Sequence, residues 1–184
     1  MVTRYSKVAI ALHWLIALLI IGQLAGGKIM MAMDGSPLKF ELFQLHKSFG
    51  IVILLLSLLR LGWRLTHKAP PLPNTMPPHE KLAAKISHIG FYGLMIGIPL
   101  AGWAMVSAAP IRITTKLFDV VKWPDMPLIE RSETMEKIFA QTHEIMSTLI
   151  IILLLIHIGA ALKHHFKDKD DVMTRMVPRL KPRA

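Results

Sequence analysis

Apolar residues in this chain do not alternate with polar ones; they run together in four blocks separated by charged, polar or proline-rich stretches. The first runs from about Val8 to Gly27, the second from about Leu45 to Leu65, the third from about Ile86 to Ala109 and the fourth from about His143 to Leu162. Each is close to the ~20 residues that an α-helix needs to cross about 30 Å of hydrocarbon. Backbone groups in lipid must be paired within their own segment, so the predicted elements are helices. With no internal repeat or low-complexity region, they predict an all-α membrane protein, a four-transmembrane-helix bundle forming one domain over residues 1–184. Arg4 and Lys7 ahead of the first block give it a likeness to a secretory signal. The run is long, however, carries His13 and Trp14 near its start and lacks a small-residue cleavage pattern, so a retained helix is expected.

The connections differ in character. The stretch KAPPLPNTMPP (68–78) is a stiff connector, held extended by its prolines. The loop from 110 to 142 is longer than a bundle connection needs. Its segment IERSETMEKIFAQTHE sets Ile129, Met135, Ile138 and Phe139 among charges, and Ser132 resembles a helix start. It predicts a short amphipathic helix lying on the outer membrane surface.

Composition agrees with the pattern: 53% of the 184 residues are hydrophobic and the mean hydropathy is +0.46. The absence of cysteine excludes disulfides, iron–sulfur clusters, thiolate zinc sites and covalent c-type haem attachment. A formal net charge of +10 would suit nucleic acid, but its placement argues for lipid. Arg4, Lys7, the cations around the second connection (Arg60, Arg64, Lys68, Lys81, Lys85) and those of the tail from Lys163 to Arg183 fall on one side. That side carries the whole excess and the other balances to zero. Positive-inside bias makes it cytoplasmic, with both termini inside, and the basic tail reads as an anchor at an anionic lipid surface.

The nine histidines can then be sorted by depth. His67, His79, His164 and His165 fall in cytoplasmic loops or at helix ends, where water is available. His13, His46, His88, His143 and His157 fall within or at the edges of the spans, where an ionisable side chain is a functional candidate and usually faces the bundle interior. Fourteen residues advance a helix by about 21 Å and turn it by about 1400°, about 40° short of four turns. His143 and His157 therefore share a face, one near each surface. His46 lies at the outer end of the second span and His13 at inner depth in the first, so the depths pair His46 with His143 and His13 with His157. Two facing imidazoles at each of two levels is the arrangement that holds two haem groups by their axial positions. Zinc fits less well, because the pairs lie about 21 Å apart and each offers two imidazoles and no thiolate toward the four ligands of a tetrahedral site. Arg60 follows His46 by fourteen positions and is placed to pair an inner haem propionate, with Lys47 in the same role outside. The alternative for both is a cation reaching the interface. The third span has no matched pair. Its Gly90, Gly93, Gly97 and Gly102 beside Pro99 form a small-residue face for close packing of helices or of a flat macrocycle. His88, at inner depth, is a candidate for proton handling or quinone contact, with a structural hydrogen bond as the alternative.

These residues resemble the prokaryotic cytochrome b561 family over nearly the whole chain. RYSKVAIALHW is similar to its opening motif, LHKSFGIVILLLSLLRLGWR to its second helix, and THEIMSTLIIILLLIHIGAALKHHFKDKDDVMTRM to its last helix and tail. The resemblance implies a multi-pass cytochrome of the bacterial inner membrane with two haem b per chain, ligated by His13/His157 and His46/His143. It implies electron transfer between a periplasmic reactant and the quinone pool, with ubiquinone or menaquinone as substrate. One activity known in the family is oxidation of superoxide with reduction of ubiquinone, and Arg112 with Lys116 form the candidate basic patch for such an anion. The histidine seven positions beyond the last ligand is associated with quinone in the family, and His164 matches it.

The expected function is therefore transmembrane electron transfer from a periplasmic donor, superoxide among the candidates, to quinone. Partners are lipid, quinone and that donor, with a homodimer open and nucleic acid excluded. One alternative is a cytochrome anchor subunit of a larger dehydrogenase or hydrogenase. A second is a haem-free transporter using the histidines as relays.

Overall fold

The computed structural model describes residues 4–177 and 180. Four long helices dominate: α1 (Lys7–Ala32), α2 (Pro37–Thr66), α3 (Pro78–Ala108) and α4 (Glu133–Lys163). All four are long and apolar enough to cross a membrane. Each begins or ends several residues outside its apolar block because the flanks hold strong start signals. Ser6 caps α1 by accepting from Ala9 N (3.2 Å), and Ser36 caps α2 by accepting from Lys39 N (3.2 Å). Prolines open α2 and α3, where an amide hydrogen would lack a partner anyway. At 26 to 31 residues the helices span about 40–47 Å, more than the hydrocarbon alone requires.

Ser132 is the N-cap of α4, as its sequence context suggests, but the amphipathic segment behind it is not a separate surface helix. It forms the first turns of α4 itself. No glycine or proline interrupts residues 133–158, Glu133 and Glu136 favour the helix N-terminus, and Lys137 pairs with Glu133 at 2.5 Å. The loop before it holds an element the hydrophobic pattern did not announce, an antiparallel hairpin of β1 (Thr115–Leu117) and β2 (Val121–Trp123). Phe118 and Asp119 take φ of 50° and 60° in its turn. Ser48, fully buried on α2, anchors the hairpin: its Oγ accepts from Phe118 N (2.9 Å). Gln44 Nε2 donates to Thr114 O (3.0 Å), and Phe49 packs edge-on against Phe118.

The other end of the bundle holds both ends of the described chain. After α4 a single π-helical turn (His164–Asp168) and Lys169 at φ 54° reverse the chain. The tail then folds back under the helices: Tyr5 N donates to Arg175 O, Trp14 Nε1 to Met176 O (2.8 Å), and the Arg175 guanidinium to Pro71 O in the proline-rich connector. Thr174 is buried, and Val172, Met173 and Met176 are half-buried. This part of the tail is thus packed on protein, because its apolar positions find cover there. Arg179, Lys181 and Arg183 fall outside the described residues.

Ile16, Met95 and Ile150 form the centre of the bundle, with Leu56, Phe91 and Tyr92 packed around them. Leu18, Leu55, Leu59, Ile89, Ile152 and Leu155 are exposed, the signature of a lipid-facing surface. The glycine face of α3 meets α4: a side chain at Gly90 would press on Leu153 (3.3 Å), and one at Gly97 would overlap Met146.

Substituting Ser48→Ala leaves the Phe118 amide without its acceptor, and an unsatisfied buried donor costs about 1–3 kcal/mol. Hydrogen exchange at Phe118 is expected to accelerate, and thermal unfolding in detergent to shift down, while α1–α4 stay helical by circular dichroism. Unchanged exchange at Phe118 would show that the hairpin does not depend on Ser48.

Candidate functional site

Four histidines that the sequence pairs by depth are brought together in those pairs. His13 and His157 have ring centroids 6.2 Å apart with an interplanar angle of 61°. His46 and His143 stand 6.3 Å apart at 66°. Helices α1 and α4 thus meet through imidazoles at the end that holds the termini, and α2 and α4 do so near the hairpin. All four rings are half-buried. Two imidazoles on opposite sides of one metal, with bonds of about 2 Å, have ring centres roughly 6 Å apart. Both pairs hold that separation.

The surroundings allow a test of which metal form fits. Among the described residues, the one group of three or more histidine or acidic side chains close enough to share an ion is Glu80, His164 and Asp168, which includes neither pair. Each pair therefore offers two protein ligands and no third, which suits an iron whose other four bonds come from its own macrocycle. Space for such a ring exists. An apolar groove of about 300 Å³ between α1 and α2 reaches His46 past Gly22, Gly26, Ile29, Met30 and Phe49. A Cβ at Gly22 or Gly26 would meet nothing within 4 Å, whereas one at Gly102 on α3 would lie 3.1 Å from the His143 ring. Among the buried polar atoms of the described residues that have no hydrogen-bond partner, His46 Nδ1 and Lys47 Nζ belong to this end of the bundle. Buried polar atoms are normally satisfied, so these are positions where an additional group is called for. The residues present at the His46–His143 pair fit a haem, and the His13–His157 pair repeats its ring separation.

Neighbouring side chains hold the rings in place. Gln23, a polar residue within the apolar block of α1, donates from Nε2 to His46 O (2.7 Å) and so ties α1 to α2 at the level of the outer pair. Sequence reading passed over it, although an amide inside a spanning run is itself a signal. Phe91 of α3 packs edge-on against His157 at 5.1 Å. Arg60 reaches His13, with Nη1 3.1 Å from Nδ1, and lies over the Tyr92 ring at 6.0 Å. Lys47 lies over Phe43 at 5.3 Å.

The remaining candidates separate clearly. His88 is exposed on α3, within electrostatic reach of Arg64, His157 and Arg60. His164, expected where water is available, is only 8% exposed, because the π-helical turn folds it inward. Its Nδ1 lies 2.7 Å from Asp170 Oδ2 and its Nε2 3.8 Å from Glu80 Oε2, while Lys163 bridges Glu80 and Asp168 at 2.7 Å each. Arg112 and Lys116 both sit beside the hairpin, but each is paired with an acid, Asp125 at 3.4 Å and Asp119 at 3.0 Å respectively. Lys122 joins Arg112 in an open polar cavity of about 430 Å³ that Trp123 also lines.

Comparison with known proteins gives the family. The family described as "Prokaryotic cytochrome b561" matches residues 4–179. The chain is 33% identical to "Cytochrome b561 homolog 2" of Escherichia coli (strain K12), covering 95% of this chain and 91% of that protein. It is 26% identical to "Cytochrome b561 homolog 1" of the same organism, covering 97% and 99%. It is 27% identical to "Probable superoxide oxidase CybB" of Yersinia pestis, covering 96% and 97%.

Because a side chain at Gly102 would crowd His143, Gly102→Val is expected to displace that ring and lower haem content by about half in a pyridine haemochrome assay. Gly159→Ala, where a Cβ meets nothing within 4 Å, is the matched control and should retain full content. Equal haem content in the two variants would sink the assignment of Gly102 as support for the His143 ring.

Proposed function

The chain belongs to the prokaryotic cytochrome b561 family, and we propose that it carries electrons across the bacterial inner membrane through two b-type haems, from a periplasmic donor to the quinone pool. Membership gives membrane electron transfer and b-type haem. The observation that carries the finer reading is the equal spacing of the two imidazole pairs, 6.2 and 6.3 Å, at opposite ends of one bundle. In this reading His13 and His157 are the axial ligands at the inner level and His46 and His143 those at the outer. The strong excess of cations at the end bearing the termini supports calling it cytoplasmic, with the hairpin in the periplasm.

Bound haem supplies a one-electron iron centre at each level. His13, His157, His46 and His143 would hold it, and the protein's own contribution is holding and tuning. Gln23 and Phe91 brace the backbone of His46 and the ring of His157. His46 Nδ1 and Ser57 Oγ are free to take up second hydrogen bonds that set ligand basicity. Lys47 and Arg60 are assigned to the propionates of the outer and inner haem respectively, since each brings a cation to the edge of its pair. Apolar walls from α1 and α2 exclude water from the outer groove.

The donor is proposed to be a small anion arriving at the hairpin end. Superoxide is the candidate supported by the relative named as a probable superoxide oxidase. Lys122 beside the open cavity is the cationic feature that favours an anion there, since Arg112 is paired with Asp125 in the same lining. The acceptor is a quinone, ubiquinone or menaquinone, reached from the inner level. His164 is retained as a contributor on the cytoplasmic side, held by Asp170 and facing Glu80.

Purified protein is expected to give b-type Soret and α bands and two haems per chain. His46→Ala or His143→Ala should remove one spectral component, and His13→Ala or His157→Ala the other. Stopped-flow mixing with superoxide should reduce the haem, and added quinone should reoxidise it. Absence of b-type bands would end the haem reading, whereas normal bands with no response to superoxide would end the donor assignment alone.

A further inference from the structure

Acids and cations at the end of the bundle that holds the termini are not matched to each other. Lys163 joins Glu80 and Asp168 at 2.7 Å each and Asp170 holds His164, so these carboxylates are occupied within the cap. Lys7, Arg64 and Lys68 are exposed, and none of them meets a carboxylate among the described residues. The sequence around them supplies none, with no Asp or Glu before Asp34 or between Glu41 and Glu80.

The three cations surround one chain of contacts that ties α1 to α2. Ser6, the N-cap of α1, accepts from Ala9 N and also from Trp63 Nε1 near the end of α2, at 3.2 Å each. The Trp63 ring lies flat on the ring of His67, the C-cap of α2, with centroids 3.7 Å apart and planes 7° apart. Lys7 follows Ser6, Arg64 follows Trp63 and Lys68 follows His67, so one cation adjoins each member of the chain.

This corner stands where two apolar spans end, and Val8 and Leu65, next to Lys7 and Arg64, are exposed at 42% and 77%. Tryptophan, with an apolar body and a polar N–H, is enriched at the level where lipid headgroups meet acyl chains. Phosphate oxygens accept charge-assisted hydrogen bonds from Arg and Lys. A partner that answers both the cations and the apolar flanks needs a negative head and a hydrocarbon tail, which is the chemistry of an acidic phospholipid. The described tail is otherwise engaged, since its Arg175 guanidinium turns to Pro71 O. We propose that the corner built on Ser6, Trp63 and His67 binds the phosphate of an acidic phospholipid through Lys7, Arg64 and Lys68, with the acyl chains lying along α1 and α2. The site uses none of the paired histidines and is independent of the electron donor and acceptor.

Haem-loaded, full-length protein in neutral detergent is mixed with phosphatidylglycerol, or with phosphatidylcholine of the same chains, and retained lipid is read by native mass spectrometry. Phosphatidylglycerol is expected to be retained about tenfold more strongly. Arg64→Gln combined with Lys68→Gln should lower its retention about tenfold with haem content unchanged, whereas Arg64→Lys keeps most of it. Lys81→Gln combined with Lys85→Gln removes the same charge from α3 and should leave retention unaltered. Equal retention of the two lipids, or an equal fall in both double variants, would overturn the site, the latter by showing attraction to net charge alone. Displacement of the lipid by inorganic phosphate would overturn the lipid assignment. Should a variant fail to fold, a photoreactive phosphatidylglycerol on the wild type decides: label on residues 6–8 and 61–68 supports the site, and label confined to other segments overturns it.

Discussion

The constraint on which the rest depends is angular: fourteen residues of α-helix return to within about 40° of the starting direction. That lets α4 present His143 and His157 on one face, about 21 Å apart along its axis. Helices α1 and α2 then need to supply only one imidazole each, at matching depths, and they do so from opposite ends of the bundle. A spacing of twelve or sixteen would turn one ring about 120° or 160° from the other and force α4 to serve two sites on different sides. The glycine face of α3 follows from the same demand. With α4's polar face committed to the two pairs, α3 closes on it through Gly90, Gly97 and Gly102, where backbone approaches Leu153, Met146 and the His143 ring.

Each end of the bundle is closed by a different device, and both rest on single polar side chains. Near the outer pair, fully buried Ser48 receives the Phe118 amide and draws the hairpin over the helix ends. Near the inner pair, Lys163 joins Glu80 to Asp168, and Asp170 holds His164, so that α3, α4 and the tail meet in one network. Backbone bonds from Tyr5 to Arg175 and from the Trp14 ring to Met176 then bring α1 into the same cap. Closure at both ends leaves the sides of the bundle as its exposed apolar surface.

The four spans and the two imidazole pairs were legible because each rests on a long-range regularity: about twenty apolar residues for a span, and depth plus helical angle for a pair. Features set by local or non-local hydrogen bonds were not. The hairpin has strands of three residues, too short for a period of two to register, and it depends on Ser48, some seventy positions away. The amphipathic stretch from 129 to 142 was read as a separate helix because its polarity changes at His143. Helix continuity follows backbone hydrogen bonds, however, and these run unbroken through the change. His164 was assigned to water because charged residues follow it in sequence. The π-helical turn and the carboxylates of Glu80 and Asp170 bury it instead, and a sequence pattern holds no sign of either.

The contact between Arg60 and His13 bears on how the inner site is completed. A guanidinium only donates, so at 3.1 Å His13 Nδ1 must accept and the neutral ring keeps its proton on Nε2. A ring that gives Nε2 to iron carries its proton on Nδ1 and can no longer accept from Arg60; a ring that gives Nδ1 to iron has that position filled. Arg60 and a ligated His13 therefore exclude the present contact in either tautomer. If His13 held an iron, Arg60 would lose this acceptor, and its guanidinium, near the Tyr92 ring, would be open to a carboxylate. Lys47 at the outer level arrives at the same condition by another route, its Nζ buried with no partner beside His46. Among the described residues neither Arg60 nor Lys47 is paired with a carboxylate, and a propionate-bearing ring would satisfy cation and imidazole together.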